Sequence, residues 1–158
     1  MQNALGIAIK KANNALSRDT AHFAKGIGLT EMQASAINFI ADHENQQDIF
    51  QRDLEEEFNV RKATASSLVT TMVNKDLLIR VPATNDARYK RLLLTPKARQ
   101  LAKQIEAFFE ISEQRMQRLL TTDFQTTYDG LQRLSRAFTT TPTPSPASTG
   151  HHARNSKD

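Results

Sequence analysis

The stretch Asp53–Thr95, DLEEEFNVRKATASSLVTTMVNKDLLIRVPATNDARYKRLLLT, decides the fold. Apolar residues recur at helical spacing on both sides of the pair Asn59 and Val60, which predicts two short helices joined by a tight turn. The period then changes, and two β-prone runs, Leu77–Pro82 and Arg91–Leu94, flank a polar tip, which predicts a β-hairpin. Two helices followed by a basic hairpin predict a winged helix-turn-helix.

Helical patterns lie on both sides of this stretch. Residues 4–24 carry apolar side chains at helical spacing, which predicts an amphipathic first helix. Thr30 with Gln33 has the spacing of a capping box and predicts the start of a second helix. We expect a short strand at Ile49 and Phe50 before the first helix of the motif. The predicted fold class is mainly α, with a small β-hairpin wing.

Two further helices are expected after the hairpin. Thr95 followed by Pro96 is a favoured helix start, and apolar residues then recur to about residue 120. Thr122 with Gln125 predicts another capping box at the start of a last helix, which we expect to end at Phe138. From residue 139 to 150 every residue is Thr, Pro, Ser, Ala or Gly, so we expect a disordered tail that is dispensable for DNA binding.

The composition limits the class of protein. The 158 residues suffice for one domain, 39% of them are hydrophobic, and there is no Cys, which excludes disulfides, Cys-ligated zinc and thiol chemistry. No apolar run approaches the roughly 18 residues of a membrane span, and the N-terminus lacks the pattern of a signal peptide. We therefore expect a soluble, cytoplasmic protein with no membrane partner.

Charge is distributed unevenly along the chain. The segment Asp42–Glu57 holds seven acidic residues and one basic residue, a net charge of −6. The segment Arg61–Lys103 holds ten basic and two acidic residues, a net charge of +8. The second segment contains the predicted helix-turn-helix and hairpin, so it is the part of the chain that we expect to meet a polyanion such as DNA.

Enzymatic chemistry finds little support in the sequence. His22 and His43 have no partner at metal-ligand spacing, and no glycine lies between Leu29 and Asp129 to build a phosphate-binding loop. The cluster of glutamates at 55–57 is typical of a solvated helix face. We therefore expect no enzyme activity, no metal site and no cofactor.

The second helix of the motif has the side chains of a DNA-recognition helix. It begins with basic residues and continues with small hydroxyl side chains, which can approach base edges in a major groove. The hairpin tip adds three cations that suit phosphates or a narrow minor groove. The candidate DNA-binding residues on these grounds are Arg61, Lys62, Thr64, Ser66, Ser67, Arg88, Lys90 and Arg91.

These motifs, in this order, resemble the multiple antibiotic resistance regulator (MarR) family of bacterial winged-helix transcription factors. The most specific match runs from Asp86-Ala87-Arg88 to Leu94-Thr95, within a resemblance that covers residues 29–102. The resemblance implies a homodimer on a pseudo-palindromic operator, more often a repressor than an activator. It also implies DNA-binding roles by position: bases read by Thr64, Ser66, Ser67 and Thr70, Arg88 in a minor groove, and Asp86 orienting Arg88. Arg61 and Asp76 depart from the family, which often has Ser or Thr and Gly there.

The resemblance also implies a domain organisation and an effector. We expect an N-terminal dimerisation helix in residues 1–28, a DNA-binding domain in 29–95, C-terminal dimerisation helices in 96–138 and the tail in 139–158. A small aromatic or lipophilic effector could bind beside Phe23, Phe39, Phe108 and Phe109, although aromatic residues at this spacing are more often plain core. The alternative function is a helical protein–protein interaction module without specific DNA binding.

Overall fold

The computed structural model describes residues 4–146 and contains the predicted order of elements. The mainly helical fold with a two-stranded hairpin is confirmed. Its elements are α1 (Leu5–Gly26), α2 (Glu31–His43), α3 (Gln51–Phe58), α4 (Lys62–Asn74), β1 (Leu78–Pro82), β2 (Lys90–Leu94), α5 (Pro96–Leu120), a 3-10 turn (Thr121–Asp123) and α6 (Phe124–Thr140).

The chain divides at Met116 into two compact units. The first unit contains α1 to β2 and most of α5, and the second contains the end of α5, the 3-10 turn and α6. None of the helices in residues 4–146 combines the length and hydropathy that crossing a lipid bilayer requires.

Local side-chain contacts begin two of the helices as the sequence predicts. The Gln33 backbone N–H donates to Thr30 Oγ1 at 3.3 Å, and the Thr30 N–H donates to Gln33 Oε1 at 3.1 Å, so the capping box of α2 is complete. At the start of α5 the Ala98 N–H donates to Thr95 Oγ1 at 3.2 Å. The same hydroxyl donates to the Asp76 carbonyl at 2.7 Å, which ties α5 to the end of α4.

Two residues in the left-handed region shape the helix-turn-helix. Asn59 ends α3 with a φ of 50°, and Asp76 follows α4 with a φ of 57°. Asn and Asp adopt this conformation more readily than other non-glycine residues because their side chains can bond locally. The turn at Asn59 brings α3 and α4 together, and the turn at Asp76 sends the chain into β1.

The hairpin, which we call the wing (residues 78–94), pairs its two strands in antiparallel register. Leu78 pairs with Leu94 and Pro82 pairs with Lys90. The strand predicted at Ile49 and Phe50 is wrong, because this segment makes one backbone bond to the wing, from the Leu92 N–H to the Ile49 carbonyl at 2.7 Å, rather than a ladder. That single bond still covers part of the outer edge of β2.

The core of the first unit lies between the helices and the base of the wing. Its fully buried side chains come from α2, α3, α4, the wing and α5, and include Ile37, Leu54, Met72, Leu92 and Ile105. Removing this much apolar surface from water is the main contribution to folding. The wing is therefore held at its base by apolar packing, whereas residues 84–90 at its tip contribute no buried side chain.

Each unit leaves large apolar side chains exposed. In the first unit these are Leu5, Ile7 and Leu16 of α1, Ile79 and Tyr89 of the wing and Ile111 of α5, and in the second they are Leu119, Tyr128, Leu131 and Phe138. Large exposed apolar patches mark interaction sites in soluble proteins.

The second unit differs from the sequence-based expectation at its start. The capping box predicted for Thr122 and Gln125 is wrong, because a 3-10 turn precedes α6 and its N-cap, Asp123, makes no side-chain cap. The Gln125 amide instead donates to Asp129 Oδ1 at 2.9 Å, one helical turn ahead. The helix α6 ends at Thr140, two residues later than expected, and most of the predicted tail lies outside the described residues.

Candidate nucleic-acid interface

The helix α4 presents one apolar side to the core and one polar side to solvent. Ala65, Val69 and Met72 are fully buried, which fixes the rotation of the helix about its axis. The predicted DNA-binding residues lie mainly on the opposite side: Arg61, Lys62, Thr64, Ser67 and Thr70 are exposed, and Ser66 is half-buried. Arg61 is the N-cap residue of α4, and its side chain is exposed.

The structure adds Arg80, a basic residue that the sequence patterns did not single out. Arg80 lies exposed on β1, and its Nη2 is 3.5 Å from Thr70 Oγ1 on α4. A long-range contact of this kind carries no sequence signal beyond the strand alternation that places Arg80 and Ile79 on opposite faces. Arg80 therefore extends the basic surface from α4 towards the wing.

The tip of the wing holds Arg88 outward. Asp86 Oδ2 accepts from Arg88 Nη2 at 2.7 Å, and Asp86 Oδ1 accepts from Arg88 Nε at 3.0 Å. The Arg88 side chain is nevertheless 84% exposed, so the guanidinium is oriented but accessible. Lys90 is also exposed. These are the contacts expected if Asp86 orients Arg88.

Arg91 has different surroundings from the other two wing cations. Its side chain is half-buried, and Nη1 donates to Asp48 Oδ1 at 3.1 Å. Asp48 lies in the connection between α2 and α3 and also accepts from the backbone N–H and the hydroxyl of Thr84, at 2.7 and 2.8 Å. The Arg91 guanidinium thus links the wing to the body of the unit.

Glu44 plays a similar part at the base of the wing. Its side chain is only 3% exposed, and it accepts from the Leu94 N–H at 3.1 Å and pairs with Arg99 at the start of α5. The acidic segment is therefore not uniformly a solvated face. Glu44 and Asp48 bond to the wing, and Asp53 accepts from the Phe50 N–H at 2.7 Å at the start of α3.

Hydrogen bonds shift the ionisation of the wing carboxylates. Donation by the Thr84 backbone N–H and hydroxyl, with a smaller effect of Arg91, holds the pKa of Asp48 below its ordinary value. Donation by the Arg88 guanidinium and backbone N–H lowers the pKa of Asp86, and the same contact raises the pKa of Arg88. Both carboxylates are therefore charged at neutral pH.

The four phenylalanines proposed as an effector pocket do not form one cavity. Phe23 and Phe108 stack in parallel with ring centroids 4.2 Å apart. Phe39 and Phe109 line a cavity of about 230 Å³, together with Ser35, Asn38, Asp42, His43, Glu57 and Phe58. The rings of Phe108 and Phe109 meet edge to face, with centroids 5.4 Å apart. A larger polar cleft, of about 550 Å³, lies between the wing and the connection from α2 to α3.

Two of the four histidines, His22 and His43, lie within the described residues. His43 places Nδ1 2.8 Å from the Phe39 carbonyl, and His22 is exposed on α1. Within residues 4–146, no group of His, Asp and Glu is arranged to hold a metal ion.

Comparison with known proteins supplies the family. A sequence model described as MarR family matches residues 27–88. The transcription regulator MarR from Oenococcus oeni PSU-1 is 32% identical over 82% of this chain and 97% of its own, with a TM-score of 0.76. No curated protein matches the chain by sequence.

Two solved structures share the fold at lower identity. The S. aureus MepR–DNA complex is 16% identical over 87% of this chain and 99% of its own, with a TM-score of 0.75. A putative MarR family transcriptional regulator from Listeria monocytogenes, complexed with a 26mer DNA, is 23% identical over 89% and 91%, with a TM-score of 0.72.

Proposed function

This chain belongs to the MarR family of transcriptional regulators, and from that membership we propose that it is a ligand-responsive repressor. It binds a pseudo-palindromic DNA operator as a homodimer and releases it when a small aromatic or lipophilic effector binds. The observation that carries the proposal is the pairing of an exposed, hydroxyl-bearing face on α4 with an outward-held arginine on the wing. Its place of action is the cytoplasm, where a bacterial operator lies.

In this proposal α4 enters the major groove. The small side chains of Thr64, Ser67 and Thr70 let the helix backbone come close to base edges, where hydroxyls both donate and accept hydrogen bonds. Arg61 and Lys62 lie at the start of the helix and contact phosphates. Ser66 is half-buried, so its contribution to base contacts is smaller than that of Ser67.

The wing supplies the minor-groove contact. A guanidinium is less strongly hydrated than an ammonium and enters a narrow, electronegative minor groove more readily, which suits Arg88. Lys90 contributes a phosphate contact from the neighbouring strand. Arg91 acts on DNA through the placement of the wing, since its guanidinium is bonded to Asp48. Two structural neighbours that were crystallised in complex with DNA support DNA as the partner.

A homodimer explains the apolar side chains that each unit exposes. Leu5, Ile7 and Leu16 on α1, and Tyr128 and Phe138 on α6, are all more than 45% exposed. A second copy of the chain would cover them, and a twofold axis would present two copies of α4 to two half-sites of DNA.

We place the effector site in the cavity lined by Phe39 and Phe109. Three phenylalanine rings line this cavity and suit a flat aromatic ligand, and its other five lining residues supply polar and charged groups. The cavity lies against α2 and α3, so an occupant would displace the helix-turn-helix. The alternative function is a helical protein–protein interaction module, which the exposed apolar side chains favour equally well. Members of the family are regulators rather than enzymes, so we propose no catalytic activity.

One experiment separates the two functions. Genomic DNA fragments retained by the protein are sequenced, and affinity for a retained fragment is measured by fluorescence anisotropy from about 50 to 200 mM salt. The repressor proposal expects a steep loss of affinity with salt, preference over a scrambled duplex, and a light-scattering mass of twice 17.8 kDa. A stable monomer without salt-sensitive DNA binding supports the interaction module instead.

A further inference from the structure

The outer half of the wing, beyond the base that Glu44 contacts, is joined to the body of the first unit by the carboxylate of Asp48. Asp48 accepts hydrogen bonds from the Thr84 N–H at 2.7 Å, the Thr84 hydroxyl at 2.8 Å and Arg91 Nη1 at 3.1 Å. Thr84 and Arg91 lie on the two sides of the hairpin, 36 and 43 residues from Asp48. We call these three residues the wing latch.

We propose that Asp48 is a positioning residue that sets the placement of the wing relative to α4, and so the entry of Arg88 into the minor groove. This inference rests on the proposed DNA binding. Asp48 itself makes no DNA contact in it: its carboxylate is only 18% exposed and its acceptor oxygens are occupied by the wing.

The placement is transmitted from the latch to the tip through short, directional contacts. The Ala83 N–H donates to the Tyr89 carbonyl at 2.9 Å, and the Tyr89 N–H donates to the Asp86 carbonyl at 3.1 Å. Asp86 in turn holds Arg88. Fixing Thr84 therefore fixes a closed tip of a few residues as one body, with Arg88 at its end.

The latch matters because no side chain of residues 84–90, which form the tip, is buried in the apolar core. Tyr89 is 61% exposed, and Arg88 and Lys90 are exposed as well. Below the latch, the bond between the Leu92 N–H and the Ile49 carbonyl restrains β2 but lies towards the base of the wing. A tip that is already ordered loses little conformational entropy when it binds DNA. The latch therefore strengthens DNA binding without adding a new contact.

The inference can be tested by whether removal of the Asp48 charge raises or lowers DNA affinity. Removing a carboxylate from a protein that binds a polyanion strengthens binding when the carboxylate acts only by long-range repulsion. The wing latch predicts the opposite for Asp48→Asn, because an amide cannot accept from all three donors. The matched control is Glu56→Gln, which removes one negative charge from the exposed face of α3.

The experiment measures operator affinity and amide exchange on the full-length protein. Asp48→Asn is expected to lower affinity about tenfold or more and to speed exchange of the Thr84 amide by a similar factor, because it weakens charge-assisted hydrogen bonds. Glu56→Gln is expected to leave affinity unchanged or slightly raised. Thr84→Val keeps every charge and shape but removes one donor, so it is expected to lower affinity by a smaller factor.

A double-mutant cycle with Arg88→Ala shows whether Asp48 acts through the wing tip. If it does, Asp48→Asn combined with Arg88→Ala binds no more weakly than Arg88→Ala alone, within about twofold. General destabilisation would instead add its loss to that of Arg88→Ala, and such additivity overturns the positioning role. Unchanged or tighter operator binding by Asp48→Asn also overturns it. A wild-type protein that binds no duplex at all defeats the proposed function itself, which is a distinguishable result.

Discussion

The helix α4 and the wing both face the proposed DNA, yet different forces hold them. Ala65, Val69 and Met72 of α4 are fully buried, so apolar packing fixes this helix. The outer half of the wing is fixed by carboxylates, through Asp48 on Thr84 and Asp86 on Arg88. Apolar packing depends little on charge or direction, whereas hydrogen bonds to carboxylates depend on both.

The two regions are therefore sensitive to different kinds of mutation. A truncation under α4 leaves a cavity and costs stability of the whole unit. A change at the exposed wing tip lowers the free energy of unfolding little, because exposed ion pairs contribute little to stability. It does alter the position of a cation that faces the proposed DNA. We therefore expect mutations of the two regions to separate cleanly into losses of stability and losses of DNA affinity.

The largest effect is expected from Met72→Ala. Met72 lies on the buried side of α4 and is fully enclosed by the core. Truncating such a side chain typically lowers the free energy of unfolding by about 2–5 kcal/mol. Urea denaturation followed by circular dichroism measures the loss. Thr71→Ala, at the exposed neighbouring position, is the control and should change stability little. A Met72→Ala protein as stable as the wild type would remove the contrast between the two regions.

Arg88→Ala should show the reverse pattern. We expect operator affinity to fall about tenfold or more with an unchanged urea midpoint, because the tip adds nothing to the core. The plot of log affinity against log salt should flatten by about one unit for each cation removed from the DNA, and by about twice that in a dimer. Arg18→Ala on α1 is the charge-matched control. Unchanged affinity together with an unchanged salt slope would refute the assignment of the wing.

Acid should affect the wing before it affects α4. The pKa values of Asp48 and Asp86 are lowered from 3.8 by hydrogen bonding, so their contribution is complete above pH 3.8 and is lost as pH falls through the lower folded-state value. Amide chemical shifts of Thr84 and Arg88 should therefore stay constant from about pH 8 to 5 and move only in stronger acid. A midpoint above 3.8 would contradict these contacts.

Asp76→Gly tests the junction between the two regions. Asp76 has a φ of 57°, a conformation that glycine adopts without a steric penalty. Relief of this strain is partly offset by the greater freedom of glycine in the unfolded chain, so we expect a gain of at most about 1 kcal/mol in the free energy of unfolding. Thermal unfolding measures it. Lys75→Gly, at a residue with a φ of −89°, should be destabilising.

Ser67→Ala should have the smallest effect on affinity. We expect a change within about threefold, accompanied by a relaxed preference at one base pair of each half-site, because base contacts specify and phosphate contacts position. Selection from a randomised operator library measures the preference. If Arg88→Ala relaxes the preference and Ser67→Ala does not, the division of labour between helix and wing is wrong.

Contacts between residues close in sequence were predictable. Thr30 with Gln33 and Thr95 with Ala98 each depend on a spacing of three residues, which local backbone geometry converts into contact. The contact of Asp86 with Arg88 is also local, but its prediction came from the resemblance to the MarR family. The failed capping box at Thr122 and Gln125 has a local cause too, because the 3-10 turn already occupies that position.

Contacts between distant residues were not predictable. The sequence presents Arg91 as one of three wing cations, and nothing near it in the chain indicates its bond to Asp48. Arg80 beside Thr70 was missed for the same reason. The Phe23–Phe108 stack and the cavity at Phe39 and Phe109 likewise depend on how helices pack, so the four aromatic residues could not be divided between them in advance.

By itself the sequence determined the order of the elements, the helix starts at Thr30 and Thr95, the polar face of α4 and the basic character of the wing. These features follow from periodicity, capping and composition, all of which act over a few residues. Only the tertiary structure decided which cations face outward and which acidic residues act as internal acceptors. Arg88 and Arg91 are three residues apart and chemically identical. The fold places Asp48, from a distant loop, beside Arg91 and leaves Arg88 exposed at the tip.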